Sequence, residues 1–181
     1  MKSDPADLGH PVHDLSEAER VEYLLAVASL VSVDGALSHT ALADLRILCG
    51  EAGLTTSDAD HLLASAAAPD LKRVDVELAQ IAKRPELATS LLADAIALAF
   101  SSDQLAAAKG PALARMSERL GLGVAQAELI ARYVESVSMG GEHAAHPHLA
   151  KDLGTALVGA HEKTRSGVHW LSRILRAKRE H

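Results

Sequence analysis

The chain has 181 residues, 48% of them apolar and 2% aromatic, with a formal net charge of −6. This length and apolar content suit one domain with its own core, and they exclude a disordered chain. Residues 161–181 hold six of the 18 basic residues and two acidic ones, so the rest of the chain is strongly acidic. An acidic body repels phosphate backbones, and few aromatic rings are present for base stacking, so we expect no nucleic-acid partner.

The N-terminal residues 1–15 lack helical periodicity and predict a flexible leader. They also lack the apolar stretch of a signal peptide, so we expect a cytoplasmic protein. Ser16 with Glu19 three residues later is a capping-box pattern, which predicts a helix running to about Val33. Asp34-Gly35 would end this helix, because glycine adopts the left-handed conformation that closes helices.

A helical domain over residues 16–138 is the next prediction, because long runs rich in Val, Thr and aromatic residues, which strands use, are missing. Gly53 and Gly121 are expected to end two of its helices. For the third helix, Ser57 and Asp58 are the capping candidates. We therefore predict an all-α fold, with helices after the first at 38–52, from about Thr56, from Pro69-Asp70, from Pro85 to Phe100 or Ser101, from about Gln104 to Leu120 with a bend or break at Gly110-Pro111, and at 125–137.

An internal repeat connects the two halves of this domain. With a shift of 68 residues, positions 23–64 align with 91–132 without a gap, which places leucines on leucines and Gly53-Leu54 on Gly121-Leu122. This register predicts two tandem, similar helical halves that bury their apolar faces against each other. Within them, Cys49 is the single cysteine and follows apolar residues, so we expect a buried thiol.

The C-terminal region divides into a His- and Gly-containing linker, residues 139–148, and a basic amphipathic helix, residues 149–181. Trp170 and Ile174 flank the apolar stripe of this helix, and Arg173 and Arg176 lie beside it. These four residues are the predicted partner- or membrane-binding site. The alternatives are packing on the chain's own acidic body, docking in a homodimer, and peripheral contact with the inner membrane. The linker histidines, His143, His146 and His148, are expected to be solvated rather than metal ligands.

The segment from Leu24 to Ser38, with Asp34-Gly35 after an apolar helix, resembles the tellurite-resistance TerB-like family. The phrase Glu118-Arg119-Leu120-Gly121-Leu122-Gly123 is similar to that family's Leu-Gly-Leu helix ending. The resemblance covers roughly residues 20–136. It implies an all-α fold of two similar halves, association with tellurite and chemical-stress resistance, and metal binding through acidic residues.

The acidic motif of that family is degenerate in this chain. The glutamate that follows Asp-Gly falls near Ala41 in the first half and on Lys109 in the second. A hard divalent cation needs several oxygen ligands, and only Asp34, Asp94 and Asp103 are candidates. Our expectation is that no cofactor is needed, with a divalent ion on these three carboxylates as the alternative.

No nucleophile–base pattern or phosphate-binding loop stands in a recognisable context, so we expect a protein that is not an enzyme. The function we predict is a non-enzymatic protein–protein interaction or scaffolding module. The resemblance places it in a bacterial stress or envelope-associated assembly. The partner would be another protein or a second copy of this chain. The alternative function is a metal-ion-binding stress (tellurite) resistance protein that uses helix-end carboxylates.

Overall fold

The structure is a computed structural model that describes residues 10–32, 36–68, 70–101 and 110–138. Across these ranges the chain forms α-helices and one short 3₁₀ helix, Pro11–Asp14, without a strand, so the predicted all-α fold is confirmed. The described α-helices are α1 (Glu17–Val31), α2 (His39–Glu51), α3 (Thr56–Ala67), α4 (Leu71–Ile81), α5 (Pro85–Ser101), α6 (Gly110–Arg119) and α7 (Val124–Ser138).

The N-terminal caps of α1 and α2 follow the sequence prediction. The Ser16 hydroxyl accepts from the Glu19 N–H, and the Glu19 carboxylate accepts from the Ser16 N–H at 2.8 Å, so the capping box is present. Ser38 caps α2 by accepting from the Ala41 N–H at 3.1 Å. Each contact satisfies backbone donors that a helix start leaves without a partner.

The cap of α3 differs from the prediction. Thr55 is the N-cap, and its hydroxyl accepts from the Asp58 N–H at 3.2 Å. Ser57 lies inside the first turn and is exposed. Thr55 rather than Ser57 caps α3 because the Thr55 backbone is extended, with φ −66° and ψ 159°, and this conformation directs its side chain toward the first turn.

Two helices, α1 and α5, form the centre of the bundle and pack against each other. Every side chain from Leu87 to Ala99 is buried, and the second half of α1 is buried equally, so α1 and α5 supply the core of the bundle. Helices α3 and α4 cover α1, while α7 covers α5. Cys49 is 0% exposed, as expected for a packed thiol, and burial raises its pKa to about 11.

Element boundaries in the two halves repeat at the spacing of the sequence alignment. Helices α2 and α6 end at Glu51 and Arg119, and α3 and α7 begin at Thr56 and Val124, in each case 68 positions apart. Gly53 and Gly121 both have positive φ, +77° and +67°. The packing pairs α1–α3 and α2–α3 correspond to α5–α7 and α6–α7. These matches agree with a duplication, which stays a prediction until the halves are superimposed.

Residues 10–15, which belong to the predicted flexible leader 1–15, are packed against the bundle. Val12 and Leu15 are 2% and 6% exposed, because the 3₁₀ helix places them on α1 and α5. The Arg20 guanidinium holds this segment by donating to the carbonyls of Leu15 at 3.0 Å and Ala52 at 3.1 Å. Ala52 is the C-cap of α2, so the same cation also satisfies a helix end. The prediction missed this packing because the segment is too short to show periodicity.

The remaining predicted elements lie outside the described residues. They are residues 1–9, the Asp34-Gly35 turn, residues 104–109 of the helix predicted from about Gln104, the linker 139–148, its three histidines and the amphipathic helix 149–181. In the described part of the chain, no helix combines the length and the hydrophobicity needed to cross a membrane.

Candidate functional site

A groove of about 640 Å³ lies between the N-terminal half of α1, helix α4 and the start of α5. Its apolar lining comes from Leu15, Val76, Ile81 and Leu87, with Tyr23 at the base. It forms because α4 packs on α1 through Val74 and Leu78, which are 4% and 2% exposed, while the opposite edge of α4 stays open. The remaining lining residues are Glu19, Glu22, Arg73, Glu77, Gln80 and Arg84.

Val76 is an apolar side chain in an unusual place. It is 62% exposed, and only Val124, at 55%, is comparable among the large apolar side chains of the described residues. Single exposed apolar residues are ordinary, but this one lines a concave surface. The buried residues Val74 and Leu78 lie on the apolar stripe of α4, whereas Val76 lies off it, and this off-stripe position is the signal that the sequence offered.

Charged side chains form the walls of the groove. Arg73 Nε donates to Glu77 Oε1 at 2.8 Å, and this hydrogen bond raises the pKa of Arg73. Arg73 also lies 3.9 Å from Glu22 across the gap between α4 and α1. Arg84 lies 3.9 Å from Glu19 at the other end. Both cross-groove contacts are long and solvent-exposed, so they contribute little stability and can be rearranged by a ligand.

Glu77 is the exception among these charges because it is only 9% exposed. One carboxylate oxygen accepts from Arg73, while the other, Oε2, is buried and has no hydrogen-bond partner among the described residues. A buried oxygen without a donor costs about 1–3 kcal/mol. The groove therefore carries an acceptor position that a ligand cation or N–H group could satisfy.

Behind the base of the groove lies a buried polar cluster of His10, Tyr23 and Asp94. The Tyr23 hydroxyl donates to Asp94 Oδ2 at 2.6 Å, and His10 Nε2 lies 3.0 Å from the same oxygen. His10 Nδ1 accepts from the Val12 N–H at 3.0 Å, which assigns the ring proton to Nε2. Burial, and then the Asp94 charge, raise the pKa of Tyr23 well above its usual value. The cluster fastens the N-terminal segment to α5.

Of the three carboxylates predicted as alternative metal ligands, the structure describes only Asp94. Asp94 is 4% exposed, and its Oδ2 accepts from the Tyr23 hydroxyl and lies 3.0 Å from His10 Nε2. Asp34 and Asp103 lie outside the described residues. Within the described ranges, no group of three or more His, Cys, Asp or Glu side chains is placed to hold a metal ion. The three-carboxylate site thus stays a prediction, and the geometry of Asp94 gives it no added support.

The predicted partner-binding residues Trp170, Arg173, Ile174 and Arg176 also lie outside the described residues. The sequence interpretation therefore placed the contact surface only in the C-terminal segment and missed the groove. A second, shallower depression of about 470 Å³ lies between α5, α6 and α7, lined in part by Phe100 and Leu113. It has no buried acceptor comparable to Glu77 Oε2 among its described lining residues.

Comparisons with models of known protein families, with curated proteins and with solved structures found no match for this chain.

Proposed function

We propose that this protein is a non-enzymatic protein–protein interaction module whose groove between α1, α4 and α5 receives an amphipathic helix with a basic side chain. The observation that carries the proposal is the adjacency of Val76, 62% exposed, and Glu77, whose buried Oε2 lacks a donor. An apolar surface with one buried acceptor binds a helix that presents an apolar stripe and a cation.

The composition of the groove supports the proposed binding role. Among the described residues its lining holds carboxylates, guanidinium groups, an amide, a tyrosine and apolar side chains. The polar groups are arranged as ion pairs along the walls, which is how interfaces obtain orientation and specificity. The resemblance to the TerB-like family extends the proposal to a bacterial stress or envelope-associated assembly.

Site-specific photo-crosslinking tests the proposal. A photoreactive residue is placed at position 76 of the full chain in cells, and at position 124 as the matched control, because both valines are exposed and they lie on different helices. We expect protein adducts at 76 that are absent at 124. The protein identified should then bind the purified chain, and Val76→Glu should weaken that affinity about tenfold or more, since a charge is buried without a partner.

The proposal fails if positions 76 and 124 give the same adducts. It also fails if the purified candidate binds Val76→Glu and Val124→Glu chains with equal affinity. Far-UV circular dichroism of both variants establishes that the bundle is intact, which is expected because both positions face solvent.

A further inference from the structure

We infer that Arg73 is a gate of the groove: it holds the Glu77 carboxylate while the groove is empty and moves to Glu22 when an arginine of the partner binds Glu77. This inference rests on the proposed function, because it names the partner's cation and the residue that regulates its entry. It is carried by the burial of Glu77 Oε2 and by the position of one guanidinium between two carboxylates.

The Glu77 carboxylate is closed to a ligand in the observed arrangement. Its Oε2 is buried, and its Oε1 accepts from Arg73 Nε at 2.8 Å. A cation that enters the groove therefore meets one oxygen already in use and another that it cannot reach. Binding at this carboxylate requires a neighbouring side chain to move. Arg73 contacts the carboxylate directly, and its side chain is 60% exposed, so the surrounding solvent gives it room to move.

A second carboxylate lies close to the guanidinium of Arg73. Arg73 Nη2 is 3.9 Å from Glu22 Oε1 on α1, so a modest rotation of the two exposed side chains brings them to hydrogen-bond distance. The hydrogen bond and charge of Glu77 raise the pKa of Arg73, and the charge of Glu22 adds to this effect, so the guanidinium stays charged in both positions. Asp70, a third nearby carboxylate, accepts from the Lys72 N–H at 3.1 Å and stays at the start of α4 as its cap.

The exchange favours a guanidinium over an ammonium as the partner's cation. An entering arginine replaces the hydrogen bond that Arg73 gives up at Oε1, and its second N–H group donates to Oε2. A planar guanidinium donates to both oxygens of one carboxylate, whereas an ammonium acts as a point charge. Arg73 itself shows that Glu77 accepts a guanidinium. The net gain comes from the satisfied Oε2 and from the new pair between Arg73 and Glu22.

Titration of the full chain with N-acetyl-arginine amide, followed by NMR of the Val76 and Glu77 backbone amides, tests the gate. In the wild-type chain the probe has to displace Arg73, so its apparent Kd is the intrinsic Kd divided by the fraction of open sites. Arg73→Met keeps a long apolar stem and cannot donate to Glu77, so the probe should bind this variant about two- to fivefold more tightly. N-acetyl-lysine amide should bind more weakly than the arginine probe, and equal binding would refute the preference for a guanidinium.

Arg84→Met is the matched control for the change in charge. It removes the same charge from the same groove, at the end where Arg84 lies 3.9 Å from Glu19. A general electrostatic effect would strengthen binding of the probe equally in both variants. The gate predicts a clearly larger gain for Arg73→Met, which Glu77→Ala should abolish. Equal gains, weaker binding to Arg73→Met, or no binding of the arginine probe to any of these chains would overturn the inference.

Glu22→Gln tests the second position of the guanidinium. In the wild-type chain this substitution should weaken binding of the probe, because Arg73 loses the carboxylate to which it moves. In the Arg73→Met chain the same substitution should have a smaller effect, since no guanidinium has to move. An equal effect in both chains would mean that Glu22 acts on the probe only through its charge, and it would overturn the exchange.

The Nε–H resonance of Arg73 reports the gate directly in the wild-type chain, even where far-UV circular dichroism shows that a variant is damaged. Saturating probe should shift this resonance in the direction that Glu77→Ala produces without probe, and an unmoved resonance would refute the gate. Failure of the proposed function is measured separately, by adducts with other proteins at position 76. Adducts with an unmoved Arg73 refute the gate alone. A working gate without adducts refutes the interaction role alone.

Discussion

The contact between Tyr23 and Asp94 supplies the stability prediction that depends most directly on the geometry. Tyr23→Phe keeps the ring in the core and removes the hydroxyl that donates to Asp94 Oδ2 at 2.6 Å. Asp94 is 4% exposed, so water cannot replace the donor. A hydrogen bond to a charged group contributes about 1.5–3 kcal/mol, and we expect a loss of about 2 kcal/mol in the free energy of unfolding. For a chain of this size that lowers Tm by roughly 4–8 °C.

Urea unfolding at pH 7, followed by far-UV circular dichroism, measures the loss in a double-mutant cycle with Asp94→Ala. Because the two side chains share one hydrogen bond, the double variant should be less destabilised than the sum of the single variants, with a coupling of about 1.5–3 kcal/mol. Ser29→Ala is the control, since the Ser29 hydroxyl donates to the Ala26 carbonyl within α1. It should show no coupling to Asp94→Ala. A Tyr23–Asp94 coupling below about 0.5 kcal/mol would refute the reasoning.

Three further predictions concern stability. Burial raises the pKa of the Cys49 thiol from 9.0 to about 11, so the folded state favours the protonated thiol. The contribution of this thiol to the free energy of unfolding is therefore intact below pH 9 and is lost as the pH rises through 11. In urea titrations the wild-type chain should lose about 2 kcal/mol by pH 11 relative to Cys49→Ala. Thr55→Ala should cost about 1 kcal/mol of unfolding free energy, and Ser57→Ala less than about 0.5 kcal/mol; equal costs would contradict the cap of α3. Gly121→Ala should destabilise the folded chain by about 1–2 kcal/mol, because φ at this position is +67°. Gly50→Ala has open space around its added Cβ and should stabilise the folded chain by about 0.5–1 kcal/mol. Thermal scans measure both changes.

Local rules accounted for most of the helical framework. The capping box at Ser16, the proline at the start of α5 and the glycine after α6 each depend on neighbouring residues, so the sequence pattern contains them. The observed ends still differ by a few residues. Helix α1 ends at Val31 rather than near Val33, because helix ends depend on the hydrogen bonds of the last turn.

The site was less predictable because it depends on residues distant in the sequence. Tyr23 and Asp94 are 71 residues apart, and His10 comes from a segment without periodicity. Sequence patterns treat these residues separately. They therefore predicted Asp94 as a candidate metal ligand and not as the hydrogen-bond acceptor of a tyrosine. Only the packing of α1 on α5 shows that this carboxylate already accepts from the Tyr23 hydroxyl.

Glu77 is the residue of the groove that the needs of the fold explain least, and it supports the proposed binding role. Its neighbours on the buried side of α4, Val74 and Leu78, already pack the helix on α1. A leucine at position 77 would bury the same area without an unpaired oxygen, and an exposed glutamate would keep its hydration. The observed arrangement gives up about 1–3 kcal/mol in the isolated bundle, and a ligand that donates to Oε2 recovers this energy on binding. In the proposed interaction role, a cationic helix would thereby gain affinity over an apolar one of the same shape, and the orphaned oxygen would be a source of specificity.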